Sequence, residues 1–292
     1  MPAHESMHPS ELIIVLGFAV ATIAVGMAFF RHYQVVRPPI GVFNAGDVVV
    51  LMLAVVAIPY LYLVLPLWAV VGVLAPTTVG VILFTLEAMR SERALRWLLA
   101  LGLVSADFAL ALTLGVDDQA YLLVNNLVVL VLVVGIANLW VQSGMRARHL
   151  ATLAVLLALY DFVATSQLTL MSDLLTRLEN IPLGPFLAWT VSGHSLAIGL
   201  GDLLLATAYP LAVRKAYGVK QAAIALTVAV VVIAGVLAYV GFGAIEEPMP
   251  VMVVLGPLIL VQDLFWRRGR AAERTTRQYL LAEPTEARPV AA

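Results

Sequence analysis

The sequence predicts an all-α membrane protein with nine transmembrane helices. Of its 292 residues, 62% are hydrophobic and 12% are charged, whereas a soluble domain has about half and about a quarter. The apolar residues form runs close to the 20 or so that a helix needs to cross a bilayer. Basic residues recur in every second connection between these runs. Together these observations favour a polytopic membrane protein over any soluble class.

The nine helices are predicted from the apolar runs in chain order. They cover residues 11–30, 45–65, 67–87, 95–115, 120–142, 149–170, 187–213, 221–243 and 248–266. The first run has no basic region before it, so it is interpreted as an anchor and not as a cleavable signal peptide. Residues 42–86 are almost continuously apolar, and one helix of that length would reach roughly 68 Å, twice the hydrocarbon thickness. We therefore expect a helical hairpin near Pro66.

The basic residues predict the orientation. All but one of the 17 Lys and Arg residues fall on one side of the nine predicted helices; the exception is Arg177. The positive-inside rule then places the N-terminus outside and the C-terminus in the cytoplasm, with a prokaryotic cytoplasmic membrane as the expected location. We expect one membrane domain over residues 1–266, followed by a flexible basic cytoplasmic tail over 267–292.

The composition also limits the chemistry. The chain has no cysteine, which excludes disulfides, thiol catalysis and cysteine metal sites. Residues 4–8 read HESMH, a zinc-protease pattern, but they lie between two prolines with no evident third ligand. We interpret this pattern as chance. We expect no metal, no organic cofactor and no nucleic-acid partner; the lipid bilayer is the expected environment.

Two carboxylates stand out within the apolar runs. Asp161 lies 13 residues after Arg148, in the sixth predicted helix, and Asp202 lies 12 residues before Arg214, in the seventh. At 1.5 Å per residue both lie roughly 18–20 Å from the cytoplasmic anchors. A charge at that depth costs about 2.5–3.5 kcal/mol on insertion scales, so it indicates function by default. Neighbouring antiparallel helices would bring the two side chains to the same depth.

A pair of carboxyl groups in a low-dielectric site shares one proton, because both cannot ionise easily. One group can then take a proton from water while the other donates to a carbonyl oxygen, as in aspartic proteases. Gly199 and Gly201 lie beside Asp202 in the sequence. Because glycine has no side chain, a substrate backbone or a helix could approach Asp202 closely.

Tyr160-Asp161 in one predicted helix and Gly199-Leu200-Gly201-Asp202 in the next resemble the YD and GxGD motifs of intramembrane aspartyl proteases, the presenilin and signal peptide peptidase family. The resemblance implies a presenilin-like fold of nine helices with the motifs in the sixth and seventh. It also implies that Asp161 and Asp202 are the catalytic pair. Tyr160 and the glycine motif would then help to bind the substrate.

The family has a third motif, Pro-Ala-Leu, at the start of the ninth helix. This sequence departs from it. Pro248-Met249-Pro250 is the favoured counterpart, because prolines at a helix start leave backbone groups free to pair with a substrate strand. Gly256-Pro257-Leu258 is the other candidate.

The predicted orientation further resembles that of signal peptide peptidases, whose N-terminus is outside. The resemblance therefore implies substrates that are transmembrane helices with a cytoplasmic N-terminus, such as remnant signal peptides. The connection at 171–186 is short, unlike the long, self-cleaved loop of presenilins.

Two alternatives stay open. Asp107, in the fourth predicted helix, could join Asp161 and Asp202 in a proton or cation path of a coupled transporter; its structural interpretation is a hydrogen bond to Asn125 or Asn126. The second alternative is a catalytically silent relative that binds membrane helices. His194 is interpreted as an interfacial hydrogen-bonding residue, with tuning of the carboxyl pair as the alternative.

Overall fold

The computed structural model describes residues 9–35, 43–166, 174, 177, 181–191, 194–241, 250–269, 273–274 and 278–279. Within that part of the chain there are nine helices and one β hairpin. The helices are α1 (Pro9–His32), α2 (Ala45–Val64), α3 (Leu67–Ala88), α4 (Arg93–Thr113), α5 (Gln119–Gln142), α6 (Ala147–Ser166), α7 (Leu200–Tyr217), α8 (Val219–Gly241) and α9 (Val251–Gly269). The strands β1 (Phe186–Val191) and β2 (His194–Gly199) precede α7.

Seven of these helices, α1 to α6 and α8, are long and apolar enough to cross a membrane. The prediction of a mostly helical integral membrane protein is therefore confirmed. Helices α7 and α9 are shorter, at 18 and 19 residues, and each has an acidic residue and two basic residues. Nine complete membrane spans thus stay a prediction.

The seventh predicted helix, 187–213, is wrong over its first part. Residues 186–199 form an antiparallel hairpin in which Leu187 pairs with Ile198 and Trp189 with Leu196. This stretch is apolar enough to look like the start of a span, but it is rich in aromatic and β-branched residues, which favour strands. A Ser-Gly pair separates its two halves, as expected for a hairpin turn. The fold is therefore not purely α-helical.

Helix α7 lies at the centre of the bundle, packed against α1, α5, α6, α8 and α9. Fourteen of its 18 residues are buried. Polar groups also bind neighbouring backbones there: the Tyr209 hydroxyl donates to the Ile259 carbonyl at 3.2 Å. The Lys215 ammonium donates to the carbonyls of Val141 and Met145, both at 2.7 Å. These contacts satisfy side chains that would otherwise be costly to bury.

The remaining helices are peripheral. Helices α3 and α4 pack on each other and on α5, while α2 packs against α6. At the far end of α2, the guanidinium of Arg177 donates to the carbonyls of Leu63 and Leu65. Asn44 caps the other end of α2 through a capping box with Asp47.

Parts of the C-terminal tail contact the helix ends. The predicted boundary at residue 266 lies inside α9, which continues to Gly269. Glu273 accepts a hydrogen bond from the Arg148 backbone at 3.2 Å, and Arg274 donates to the Arg214 carbonyl at 3.2 Å. Tyr279 is buried against Phe30, with ring centroids 5.5 Å apart. At these positions the tail is packed against the bundle.

Candidate active site

Asp202 lies in the first turn of α7, directly after β2, and its side chain is half-buried. The chain changes from strand to helix at Gly199, which is the N-cap residue and has no side chain to cap the helix. An acidic group in the first turn is stabilised by the helix dipole. Asp202 is thus at the junction of hairpin and helix, and not in the middle of a span as the sequence predicted.

Asp161 lies near the end of α6 and is also half-buried. Helices α6 and α7 pack against each other, and the two carboxyl groups are within electrostatic range. The structure therefore brings Asp161 and Asp202 to one site, although it places Asp202 by a different local geometry from the one predicted. Two like charges repel each other, which makes the ionisation of both carboxyl groups unfavourable.

A third element reaches the same site through its backbone. The Met252 N–H, in the first turn of α9, interacts with the Asp202 carboxyl group. The first backbone N–H groups of a helix have no partner within the helix and are free to bind an acceptor. Pro250 immediately precedes α9 and is two residues before Met252; Pro248 and Met249 lie outside the described residues.

Tyr160 borders the site on the side of α2. Its ring is half-buried and within electrostatic range of Asp161 and of Tyr60 in α2. The Tyr160 hydroxyl is buried and has no hydrogen-bond partner among the described residues. A donor in that state can serve an incoming carbonyl.

The glycine motif leaves space beside Asp202. A Cβ on Gly199 would lie 3.5 Å from the nearer Asp202 carboxyl oxygen, while a Cβ on Gly201 would meet nothing within 4 Å. Both glycines are exposed. Leu200 between them is half-buried, and its N–H donates to the Pro185 carbonyl at 2.9 Å. The motif thus leaves the backbone beside the carboxyl group accessible.

Gly256, in the other candidate for the third motif, has a packing role. A Cβ at this position would lie 2.6 Å from the Ala154 carbonyl oxygen and 2.8 Å from the Ala158 Cβ, both in α6. Only glycine allows α9 to come this close to α6. Because Ala158 is three residues before Asp161, this contact helps to fix the position of the catalytic candidate.

The two outer edges of the hairpin differ. On β1, Asn126 donates to the Ala188 carbonyl at 2.8 Å and accepts from the Ala188 N–H at 3.0 Å. Asn125 donates to the Phe186 carbonyl at 2.9 Å. Since Ala188 pairs with Ala197, the Ala197 backbone groups point away from β1, and Ala197 is exposed. The edge of β1 is therefore covered by α5, whereas that of β2 is accessible.

Asp107 lies elsewhere. Its carboxylate is fully buried and accepts a hydrogen bond from the Leu183 N–H at 2.8 Å. The expected bond to Asn125 or Asn126 is wrong: the Asp107 bond goes to the segment before β1, and both asparagines bind β1 itself. Buried polar residues in an apolar helix were a usable sequence signal, but their backbone partners were not predictable.

Met252 was missed because it acts through its backbone, which leaves no mark in the sequence. The zinc-like pattern at residues 4–8 lies outside the described residues, and so does the side chain of His194. In the part of the chain that the structure describes, no group of three or more His, Cys, Asp or Glu residues is arranged to hold a metal ion.

Comparison with known proteins gives no match, either to a protein-family model or to a curated protein sequence.

Proposed function

We propose that this protein is an intramembrane aspartic protease that hydrolyses peptide bonds in transmembrane helices or signal peptides. The observation that carries the proposal is that Asp161 in α6 and Asp202, where the hairpin joins α7, lie on helices that pack together and interact electrostatically. The motifs that contain these residues, YD and GLGD, add the resemblance to the presenilin and signal peptide peptidase family.

In the proposed reaction the carboxyl pair holds one proton. The ionised group takes a proton from a water molecule, whose oxygen attacks the peptide carbonyl carbon, while the protonated group donates to the carbonyl oxygen. The leaving nitrogen then accepts the proton that was taken from water, and a hydroxyl of the tetrahedral intermediate returns a proton to the other carboxylate, which restores the pair. The C–N bond breaks, and the products are a new carboxyl end and a new amine. This chemistry needs no metal and no cofactor.

The substrate must be extended at the cut, because carbonyls inside a membrane helix are hydrogen-bonded and shielded. The accessible edge of β2 suits an extended chain, since the outward-pointing backbone groups of exposed Ala197 lie two residues before Gly199 and five residues before Asp202. An added strand would gain main-chain hydrogen bonds there. Pro250, which directly precedes α9, completes the proposed substrate path; Pro248 and Met249 lie outside the described residues.

The orientation of the chain extends the proposal to the substrate. With the N-terminus outside a prokaryotic cytoplasmic membrane, substrates would be helices with a cytoplasmic N-terminus. The transporter alternative has less support, because Asp107 is bound by the Leu183 backbone and no described contact links it to the carboxyl pair.

Reconstituted protein and a signal-peptide-like helix with a cytoplasmic N-terminus test the proposal. Mass spectrometry should find cuts inside the apolar stretch for the wild type. Asp161→Asn and Asp202→Asn should each lower kcat/KM at least about 100-fold, the usual size of a lost general acid or base. Asp117→Asn, at an exposed carboxylate between α4 and α5, is the matched control and should keep full activity. Cleavage that survives in Asp202→Asn would overturn the proposal.

A further inference from the structure

Four buried polar side chains of α4 and α5 hold the segment that leads into the candidate active site. They are Asp107, Tyr121, Asn125 and Asn126, each at most 1% exposed, and we call them the hairpin dock. Polar groups are costly in the interior of a membrane bundle. All four bind the backbone of residues 181–188, and this common target needs an explanation beyond helix packing.

Asn126 acts as a substitute for a neighbouring strand. Its side-chain amide donates to the Ala188 carbonyl and accepts from the Ala188 N–H, which is the pair of bonds that another strand would make. Asn125 binds the Phe186 carbonyl, two residues along the same edge of β1. The dock therefore closes this edge to any other chain.

The remaining two members fix the turn before β1. The Tyr121 hydroxyl donates to the Ile181 carbonyl at 3.3 Å and accepts from the Gly184 N–H at 3.5 Å. Between them, Leu183 has a left-handed backbone with φ 60°, which a branched side chain adopts only when its surroundings enforce it. The Asp107 carboxylate binds the N–H of this same residue.

The dock is connected to the catalytic candidate by regular structure. Residues of β1 pair in register with β2 from Phe186–Gly199 to Val191–His194, and α7 follows β2 directly. If β1 moved along the dock by two residues, the accessible edge of β2 would shift by roughly 6.6 Å relative to Asp161. A substrate strand on that edge would then present a different peptide bond to the carboxyl pair.

We propose that the hairpin dock is a positioning and specificity-determining element, which sets the peptide bond that is cut by fixing the hairpin against α5. This inference rests on the proposed protease function. It assigns no chemical step to the dock: Asp107 acts as a hydrogen-bond acceptor for Leu183 and carries no proton to the substrate.

The test compares two asparagines of the same helix. Asn126→Ala removes both bonds to Ala188. Asn138→Ala removes the bonds to Gly26, Val134 and Gln142, away from the hairpin. Both residues are fully buried in α5. We expect Asn126→Ala to spread cleavage over additional sites, with at least half of the product cut away from the wild-type bond. Asn138→Ala should leave the site distribution unchanged.

Asp107 provides a second comparison. Asp107→Asn retains an oxygen acceptor for the Leu183 N–H and should keep the wild-type cut sites, while Asp107→Leu should redistribute them. Equal redistribution in both variants would overturn the role of Asp107 as a hydrogen-bond acceptor.

If Asn126→Ala does not fold, Asn125→Ala, which removes the single bond to Phe186, takes its place.

Amide hydrogen exchange separates this inference from the proposed function. Residues 186–199 should exchange at least tenfold faster in Asn126→Ala than in wild type or Asn138→Ala. Faster exchange, in a protein whose wild type cuts no substrate, would support the dock and contradict the protease. Unchanged cut sites in a folded, active Asn126→Ala variant would contradict the dock and leave the protease intact.

Discussion

Helices α7 and α2 are similar in length, and each has a proline inside, yet their environments are opposite. Fourteen of the 18 residues of α7 are buried, whereas only Val48 and Pro59 are buried among the 20 of α2. Helix α7 is nevertheless the less apolar of the two, since it contains Asp202, Arg214 and Lys215. Burial by protein and not apolarity therefore distinguishes the helix that carries the candidate site.

The physical reason is the difference between a lipid environment and a protein environment. A side chain that faces lipid must be apolar, because lipid offers no hydrogen-bond partners. A helix that is surrounded by other helices can hold polar groups, because backbone carbonyls and other side chains satisfy them. The hydropathy of a membrane helix thus reports its contact with lipid more than its importance for the fold.

Truncating one leucine in each helix gives the largest expected contrast. Leu211 in α7 is fully buried, and Leu61 in α2 is 52% exposed. Leu211→Ala should lower the free energy of unfolding by about 3 kcal/mol, because it leaves a cavity in the core. Leu61→Ala should change it by less than about 0.5 kcal/mol. Equilibrium unfolding in mixed micelles measures both, and equal losses would contradict the proposed difference in packing.

Removing the buried cation of α7 tests the role of polar groups in this environment. Lys215→Met keeps the length of the side chain but removes the bonds to the carbonyls of Val141 and Met145. We expect a loss of about 2 kcal/mol, since two buried acceptors lose a charged donor. Lys220→Met, at an exposed position in α8, is the control. A Lys215→Met protein as stable as the control would show that these bonds contribute nothing net.

The cap of α2 gives the smallest expected effect. The Asn44 side chain accepts from the Gly46 N–H at 2.6 Å, and the Asn44 N–H donates to Asp47 at 2.7 Å. Asn44→Ala should cost about 1 kcal/mol, the typical value for a lost N-cap. Asn44→Ser should recover most of this loss, because serine caps nearly as well. If Asn44→Ala lowers the free energy of unfolding more than Lys215→Met does, the expected ranking of the effects in α7 and α2 is wrong.

The sequence predicted the helices and the carboxyl pair for different reasons. Helices α1 to α6 and α8 follow directly from the lengths of the apolar runs. The electrostatic interaction between Asp161 and Asp202 agrees with their similar distances, in residues, from basic anchors in the sequence. The interaction of the Met252 N–H with Asp202 was not predictable, since every residue except proline has a backbone N–H.

The hairpin shows where such reasoning fails. Residues 187–213 form one apolar run long enough for a span, and the apolar rule cannot distinguish a buried strand from a buried helix within it. What stabilises the strands is partly non-local, because Asn125 and Asn126 are about 60 residues earlier in the chain. The local sequence pattern of residues 186–199 therefore cannot show that Asn125 and Asn126 bind these strands.

The same separation in sequence has a consequence during synthesis. Asn126 leaves the ribosome 62 residues before Ala188, its backbone partner, an interval of roughly 3 to 12 s at ordinary translation rates. Throughout that interval the dock side chains must bind water, each other or the insertion machinery. The polar side chains of α4 and α5 therefore need temporary hydrogen-bond partners until residues 181–188 have been synthesised.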